Sequence, residues 1–296
     1  MQPDLRGKPM TGFDYRTAFC RNLGWVTGDE QQRLRRAKIA IAGMGGVGGS
    51  HLLTLARLGI GRFSVADFDH FELHNMNRQA GAMVSRLGEA KVDVLAHMAR
   101  DINPEITLET FPAGVTQDNI EAFLDGVDVY VDGLDFFALG IRESVFDSCR
   151  ARGIPVVTAA PLGMGAALLI FSPNGPGFED YFQLHGHPPE EQALRFALGL
   201  APSLQQFSYL AETGHVDLAK QQGPSTAMGC ELCAGVTGAE VLKLLLGRGS
   251  VRAVPWVTHY DAYLGRVRRT WRPGGNRNPL QRLMLTIARR RLNASG

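Results

Sequence analysis

The 296-residue sequence contains few cysteines, almost no net charge and no long apolar run. Four cysteines are too few for a disulfide-rich secreted domain and suit a reducing compartment. Because the net charge is only +2, no overall field attracts nucleic acid or an anionic membrane, and we expect neither as a partner. No secretory apolar segment follows Met1 and no run could span a bilayer, so we expect a cytoplasmic protein.

A glycine-rich segment follows the first apolar run of the chain. The run Ile-Ala-Ile-Ala at residues 39–42 is typical of a buried parallel strand, and residues 50–58 of a helix. Glycine between them lets backbone N–H groups approach a phosphate, and a helix N-terminus attracts its negative charge. The segment predicts a nucleotide site, although dehydrogenases share the G-x-G-x-x-G motif. Its motif glycines are Gly43, Gly45, Gly46 and Gly48.

Short apolar segments alternate with amphipathic ones from Lys38 to Phe171. This alternation predicts an α/β fold with a doubly wound, mostly parallel, Rossmann-like sheet. The carboxyl ends of the strands should form the crevice in which such folds bind ligands. The predicted strands lie near residue 39 and at 63–65, 106–108, 129–131, 156–157 and 167–171, and the predicted helices at 91–100, 119–124 and 139–152.

The chain after Pro173 has a different character. Turn-rich segments and short helical pieces, at residues 193–200 and 202–212, indicate an irregular insertion over residues 173–224. Beyond it the sequence predicts a helix, a hairpin with its turn near residues 264–265, and a basic C-terminal helix. The two helices are predicted at residues 233–246 and 280–292.

We accordingly divide the chain into three parts. Residues 1–37 form an N-terminal arm with a helical segment, and residues 38–172 form the nucleotide-binding domain. Residues 173–296 contribute the insertion, a helix and a C-terminal hairpin that complete a substrate lobe.

Charged and amide side chains are predicted to line the crevice. Asp67 ends the second strand, where dinucleotide-binding domains place an acidic residue on the ribose. Asn75, Arg78 and Lys91 follow, and such cations suit a triphosphate better than a dinucleotide. Asp135 follows the fourth strand, where a carboxylate can hold Mg²⁺ against phosphate oxygens. This combination indicates that the protein handles ATP.

Four motifs occur together: G-x-G-G-x-G, D-x-D-x(5)-N-x-N-R-Q, a lysine after Gly-Glu-Ala, and D-G-L-D. The set resembles the ThiF/MoeB/HesA adenylyltransferases, the superfamily of ubiquitin-activating enzymes, over residues 15–171 and again at 235–247. The resemblance implies a homodimeric enzyme that uses ATP to adenylate the C-terminal carboxylate of a protein or peptide and releases pyrophosphate. The sequence does not distinguish a ubiquitin-like carrier, a sulfur carrier or a ribosomal peptide as the substrate.

The resemblance also implies roles for the matching residues. Asp67 binds the ribose, while Asp69 either joins the nucleotide site or only fixes the loop. Asn75, Arg78 and Lys91 contact the phosphates that lie over the glycine loop.

Two further roles follow from the resemblance. Asp135 holds Mg²⁺. An arginine ahead of the first strand reaches into the partner protomer's site, and in FCRNLGW it matches Arg21. Asn22 stands where the family has glutamine, and Arg16 is the alternative. The catalytic set implied in this way comprises Arg21, Arg78, Lys91 and Asp135.

Many relatives hold structural zinc through two C-x-x-C pairs, and this chain has one, Cys230 and Cys233. A structural zinc site needs four ligands, and a surface H-G-H at residues 185–187 is a weak source for the others, so we expect no structural zinc. Small-residue packing at the start of a helix is the favoured interpretation of the pair, with a lowered thiol pKa there as the alternative. No cysteine shows a clear histidine partner, so transfer to a separate acceptor is favoured over a thioester on this chain.

Two other residues have two interpretations each. Asp132 suits a strand-end cap and a metal ligand equally well. The position of His51, in the first turn after the glycine loop, indicates a packing role rather than hydrogen-bond donation to a phosphate.

Three rival functions remain open. A tRNA-modifying dehydratase of the same fold would activate the carboxylate of a modified adenosine, although the balanced charge disfavours nucleic acid. An NAD(P)-dependent oxidoreductase would leave the phosphate-contacting cations and Asp135 without a shared purpose. A nucleotide-binding partner subunit without chemistry usually loses the arginine, lysine or aspartate that this chain keeps.

Overall fold

The computed structural model describes residues 12–215 and 223–295. The strands in these ranges are β1 Lys38–Ala42, β2 Arg62–Ala66, β3 Thr107–Phe111, β4 Val129–Asp132, β5 Val156–Leu162, β6 Gly165–Phe171, β7 Trp256–Asp261 and β8 Arg266–Trp271. The α-helices are α1 Tyr15–Ala18, α2 Gly28–Arg36, α3 Gly46–Arg57, α4 Lys91–Ile102, α5 Ile120–Phe123, α6 Leu139–Ala151, α7 Phe178–Phe182, α8 Pro189–Leu200, α9 Ala227–Leu246 and α10 Pro279–Ser295.

All eight of these strands form one sheet, in the order β3-β2-β1-β4-β5-β6-β7-β8. The first five strands of the chain pair in parallel, and β6, β7 and β8 continue the sheet in antiparallel fashion. The predicted α/β fold with a doubly wound, mostly parallel sheet is confirmed. Strand order reverses between β1 and β4, and ligands bind such sheets outside the carboxyl ends of the strands at this point.

Helices cover both faces of the sheet, which explains why its central strands are almost continuously apolar. Every residue of β1, β4 and β6 is buried. One core joins one face of the sheet to α2, α3, α4 and α9, and a second core joins the other face to α5, α6, α7 and α8. The central strands are therefore held on both sides, and their carboxyl ends form a fixed edge.

The chain after β6 is more helical than expected. Within the predicted irregular insertion, α8 spans twelve residues and begins four residues before the predicted helical piece. The predicted piece at 202–212 is instead irregular chain with turns around a 3₁₀ turn at Gln205–Ser208. Pro202 explains the break, because the residue before a proline disfavours the helical conformation, and Ala201 has φ −133°.

Helix α9 begins at Ala227, six residues before the predicted start. The Thr226 hydroxyl accepts a hydrogen bond from the Gly229 N–H at 3.2 Å, which caps the helix. The interpretation that the cysteine pair opens this helix is therefore wrong, because Cys230 and Cys233 lie inside it.

The N-terminal arm packs onto the nucleotide-binding region. The Tyr15 hydroxyl donates to the Gly59 carbonyl at 2.6 Å and accepts from Gln31 Nε2 at 3.0 Å. One sheet continues across the predicted boundary at residue 172, since β7 pairs with β6 and β8 pairs with β7. The division into three parts remains a prediction. Among the described residues, no helix combines the length and the apolar character needed to cross a membrane.

The β1–α3 loop and the end of β4 come into direct backbone contact. Gly43 has φ +85°, which favours glycine, and a Cβ on it would overlap the backbone of Gly133. A Cβ on Gly48 would overlap the Gly43 carbonyl oxygen. These two motif glycines are therefore required by packing, whatever ligand the loop holds.

We expect Gly48→Ala to lower the free energy of unfolding by about 3 kcal/mol or more, because the added methyl group overlaps a fixed backbone oxygen. Denaturant titration followed by circular dichroism measures this change. Gly140→Ala in α6 is the matched control, since its Cβ position has no neighbour within 4 Å. It should be neutral or stabilising by up to about 1 kcal/mol. Equal stability of the two variants would contradict the packing argument.

Candidate active site

The start of α3 offers unbonded N–H groups at the carboxyl edge of the sheet. Gly45 is its N-cap and provides no side-chain cap. Among the described residues, no group accepts a hydrogen bond from the N–H of residues 46–48. Such a helix N-terminus, with its partial positive charge, is a ready anion site. The glycine loop therefore has the geometry of a phosphate-binding loop.

Asp67 fixes the same loop from the end of β2. Its Oδ2 accepts from the Met44 N–H at 2.5 Å, and its Oδ1 accepts from the Asp69 N–H at 2.7 Å. Burial raises the pKa of the Asp67 carboxyl, although both backbone hydrogen bonds act to lower it. The predicted ribose contact of Asp67 remains a prediction, and the structure adds a role in holding the loop.

Lys91 is buried at the start of α4 and is already paired. Its Nζ lies 3.0 Å from Asp69 Oδ2, with the lysine side chain 7% exposed and the aspartate side chain 54% exposed. The backbone N–H of Lys91 also donates to the Asp69 carbonyl at 2.9 Å. In this pair the Asp69 carboxylate is exposed to solvent, whereas the Lys91 side chain is buried in the protein. Asp69 therefore positions Lys91, whatever else it binds.

Arg78 lies beside the start of α3. The Arg78 side chain lies 3.8 Å from the position that a Cβ atom on Gly46 would occupy. Arg78 Nη1 donates a hydrogen bond to the side-chain oxygen of Asn77 at 2.9 Å. Asn77 in turn donates to the Ser225 carbonyl at 2.9 Å, which connects this segment to the start of α9. Asn75 is buried and its Oδ1 accepts from the Glu72 N–H at 3.0 Å, so it shapes the turn.

The two aspartates after β4 differ completely in their surroundings. Asp132 is 3% exposed, and its Oδ2 accepts from Arg142 Nε at 2.9 Å and from the Thr158 hydroxyl at 2.8 Å. Its other oxygen accepts from the Leu134 N–H at 3.2 Å, so the structural interpretation of Asp132 is favoured. Asp135 is exposed and, from residues 12–215 and 223–295, accepts one hydrogen bond, from the Phe137 N–H at 2.9 Å. Asp135 therefore keeps an oxygen available for a cation.

Two further candidates make no hydrogen bond to this set within the described part of the chain. Arg21 is exposed on the 3₁₀ turn Cys20–Asn22, and within residues 12–215 and 223–295 no hydrogen bond or ion pair joins it to the glycine loop or to Asp135. His51 is fully buried, and burial lowers its pKa to about 3. Neither ring nitrogen of His51 has a hydrogen-bond partner in the described part of the chain. The neutral packing role therefore fits His51.

Cys230 and Cys233 have the properties of residues packed in the core. Cys230 and Cys233 are both buried, and burial raises the pKa of each thiol, that of Cys233 well above its usual value. The alternative of a lowered thiol pKa at a helix N-terminus is therefore wrong. His185 instead contacts Glu143, with Nε2 3.0 Å from Oε2. The predicted absence of structural zinc remains a prediction.

Sequence reasoning missed two neighbours of the site. Asn77 was noticed in its motif but not as the link to α9, and Arg142 was not considered. Asn77 binds Ser225, which is 148 residues away in sequence, and Arg142 binds Asp132, which is 10 residues away on the preceding strand. A motif search along the chain gives no signal for such contacts.

A model described as the ThiF family matches residues 19–283. The chain belongs to the ThiF family. The resemblance derived from the glycine loop, the D-x-D-x(5)-N-x-N-R-Q segment and the D-G-L-D segment is thereby confirmed. The match extends beyond the residues that carry those motifs, into α10.

Curated relatives with different printed activities resemble this chain to a similar degree. The tRNA threonylcarbamoyladenosine dehydratase of Bacillus subtilis is 33% identical over 150 residues, which cover 50% of this chain and 57% of the relative. The molybdopterin-synthase adenylyltransferase of Haemophilus influenzae is 29% identical over 158 residues, covering 53% of this chain and 64% of the relative. The chain thus spans less than two thirds of the length of these relatives.

Solved structures show that the fold is shared. Escherichia coli MccB with MccA-N7isoASN superposes with a TM-score of 0.65 at 18% identity, over 91% of this chain and 75% of that chain. The Escherichia coli tRNA N6-threonylcarbamoyladenosine dehydratase in complex with ATP gives 0.58 at 23% identity, over 78% of this chain and 95% of that chain.

Of the four cysteines, we expect only Cys20 to react with a maleimide at neutral pH in the folded protein. Cys20 is exposed, whereas the other three thiols are buried and burial raises the pKa of each. Mass spectrometry after a short exposure should show one adduct, and four after unfolding in guanidinium. Labelling of Cys230 as fast as Cys20 would show that the α9 thiols are accessible after all.

Proposed function

We propose that this protein is an ATP-dependent adenylyltransferase that activates the carboxylate of a protein or peptide as an acyl-adenylate. One observation carries the proposal. The unbonded N-terminus of α3, the guanidinium of Arg78 and the available oxygen of Asp135 all border the crevice at the reversal of strand order. Such a combination suits a metal-bound triphosphate.

Different residues of the site suit the phosphates and the ribose of ATP. Backbone N–H groups of the glycine loop and of the first turn of α3 donate hydrogen bonds to the phosphate oxygens. Asp67, half-buried at the end of β2, is placed as the ribose ligand of nucleotide-binding sheets. The Escherichia coli tRNA N6-threonylcarbamoyladenosine dehydratase, which shares this fold, has been solved in complex with ATP, and this supports the same nucleotide here.

The cations of the site reduce the electrostatic repulsion that opposes this reaction. A substrate carboxylate must attack the α-phosphorus of a polyanion, so like-charge repulsion opposes its approach. Arg78 and Lys91 contribute positive charge. In a site that excludes water, each well-placed cation stabilises the transition state by on the order of several kcal/mol. Lys91 is held by Asp69 and so is fixed before the nucleotide arrives.

Asp135 is the residue that would hold Mg²⁺. It is an oxygen ligand, exposed at the crevice, with one of its oxygens free of hydrogen bonds within the described residues. When bound, Mg²⁺ neutralises charge on the phosphate oxygens and favours departure of pyrophosphate. Asp132 cannot serve in the same way, because its two oxygens are taken by Arg142, Thr158 and the Leu134 N–H.

A protein or peptide is favoured over a tRNA as the substrate. Solved structures do not separate the two, because MccB matches 91% of this chain and 75% of its own length, whereas the dehydratase matches 78% of this chain and 95% of its own. The balanced net charge of +2 gives no general attraction to nucleic acid and so favours a protein or peptide. The dehydratase function is nevertheless the second candidate, because a curated relative with that name is 33% identical to this chain over 150 residues.

We expect Asp135→Asn to reduce ATP–pyrophosphate exchange by at least about a hundredfold, because it removes a carboxylate ligand of Mg²⁺. Exchange of labelled pyrophosphate into ATP is measured with Mg²⁺ and panels of candidate carboxylates: carrier proteins, peptides and modified tRNA. Asp125→Asn, an exposed aspartate outside the crevice, is the matched control and should retain full exchange. Tight NAD(H) binding without ATP binding, measured by calorimetry, would instead favour an oxidoreductase.

The proposed enzyme works as a homodimer. Phe68, Leu73 and Val84 all lie in the segment between β2 and α4 and are 71%, 72% and 74% exposed, and exposed large apolar side chains in one segment are typical of an interaction surface. Trp25, four residues after Arg21, is 83% exposed. Two-fold pairing of such surfaces is the commonest soluble assembly and would bring the exposed Arg21 to the partner's crevice.

Mixing Arg21→Ala protomers with Asp135→Ala protomers should restore part of the exchange activity, because each mixed dimer then contains one intact site. Each variant alone should be inactive while remaining folded and dimeric by size-exclusion chromatography. Arg16→Ala, mixed in the same way, tests the alternative arginine. If neither mixture regains activity although mixed dimers form, the arginine does not act across the interface.

A further inference from the structure

Arg142, on the buried side of α6, contacts the loop that carries Asp135. Its side chain is 3% exposed. Its Nη2 donates to the Leu134 carbonyl at 2.7 Å and to the Asp135 carbonyl at 2.9 Å, and Nη1 donates to the Phe136 carbonyl at 3.3 Å. One guanidinium therefore holds three consecutive carbonyl groups.

These hydrogen bonds restrict which way Asp135 can point. Carbonyls of residues 134–136 are directed into the protein toward Arg142, and the Asp135 side chain is exposed at the crevice. The Phe137 N–H fixes one carboxylate oxygen from the other side of the turn at 2.9 Å. Hydrogen bonds from a charged donor are stronger than neutral ones, so the loop backbone depends on the guanidinium.

Arg142 is itself held by groups from other elements. Its Nε donates to Asp132 at the end of β4. Its Cζ lies 4.8 Å from the ring centre of Phe196 on α8, and that ring lies 5.1 Å from the ring of Phe136. An aromatic face against a buried guanidinium is a favourable contact that also limits its movement. The sheet, α6 and α8 thus all act on the orientation of this one side chain.

Neutralising Asp132 does not explain this geometry. One N–H suffices for the ion pair, and Asp132 has two further donors in Thr158 and Leu134. The remaining guanidinium donors bind loop carbonyls, which a lysine in the same place could not do with a planar fork. The arrangement is therefore one of backbone support.

We propose that Arg142 is a positioning residue that presents the Asp135 carboxylate to the divalent cation bound with the nucleotide. The inference rests on the proposed function. Arg142 acts through the 134–136 backbone and touches neither substrate nor cation. Phe196 holds the guanidinium in place and so connects α8 to the cation loop.

The test measures ATP affinity by calorimetry in the presence and absence of Mg²⁺, with wild-type protein and with Arg142→Lys, Asp135→Asn and the double variant. Arg142→Lys keeps a positive charge beside Asp132, so the ion pair is not left with an isolated buried carboxylate. We expect it to reduce the Mg²⁺-dependent gain in ATP affinity about tenfold while changing the affinity without Mg²⁺ less than about twofold. Arg150→Lys, on the exposed side of the same helix, is the control.

The double variant separates positioning from general damage. If Arg142 acts through Asp135, the double variant loses no more of the Mg²⁺-dependent gain than Asp135→Asn alone. Binding of Mn²⁺ in the presence of ATP, followed by electron paramagnetic resonance, should weaken in parallel. Additive losses, or a full Mg²⁺-dependent gain in Arg142→Lys, would overturn the inference while leaving the proposed function standing.

If Arg142→Lys does not fold, Phe196→Leu replaces it in the same cycle, because it removes the ring against the guanidinium and leaves every Arg142 hydrogen bond in place. A smaller, non-additive loss then supports the inference, and no loss overturns it. Wild-type protein that binds no ATP under either condition would overturn the proposed function and this inference together.

Discussion

The backbone contact between the β1–α3 loop and the end of β4 determines where the candidate site lies. Side chains at Gly43, Gly48 or Gly133 would occupy the space in which the two backbones meet. Because the chain turns at Gly43 and enters α3 at once, the Met44 N–H faces Asp67 at the end of β2. The loop, the second strand and the fourth strand are thereby fixed relative to one another before any ligand binds.

The protein balances its buried charges around this contact in two different ways. Asp132 and Arg142 are both 3% exposed, so this pair is enclosed and serves the fold. Lys91 is 7% exposed, but its partner Asp69 is 54% exposed, so that pair opens onto solvent. The enclosed pair sets backbone positions, whereas the second pair holds a buried ammonium group and leaves its carboxylate at the surface. The same edge of the sheet therefore contains one charge pair closed to solvent and one that reaches it.

Local sequence patterns predict the parallel half of this sheet well and the rest less well. The β1 run, the glycine loop and helix α6 were predicted within one or two residues, because apolar periodicity and glycine position are local properties. The start of α9 was missed, because it depends on a Thr226 cap ahead of a weakly periodic segment. Motif spacing predicts Asp67, Arg78 and Asp135 as site residues, whereas the side chains that support the Asp135 loop come from α6 and α8, which only the folded chain brings together.

Close packing of α3 against α9 explains the cysteine pair without zinc or nucleophilic chemistry. Cys230 Sγ lies 3.1 Å from the point where a Cβ on Gly46 would stand, and the Ser50 hydroxyl donates to Glu231 at 2.8 Å. Small residues are needed where two helices run side by side at this distance, and a buried thiol behaves as a small apolar group. Because Asn77 also binds the Ser225 carbonyl, the chain that leaves the insertion enters α9 beside the glycine loop. The start of α9 and the glycine loop are therefore joined at the first turn of α9, through Asn77 and through the approach of Cys230 to Gly46.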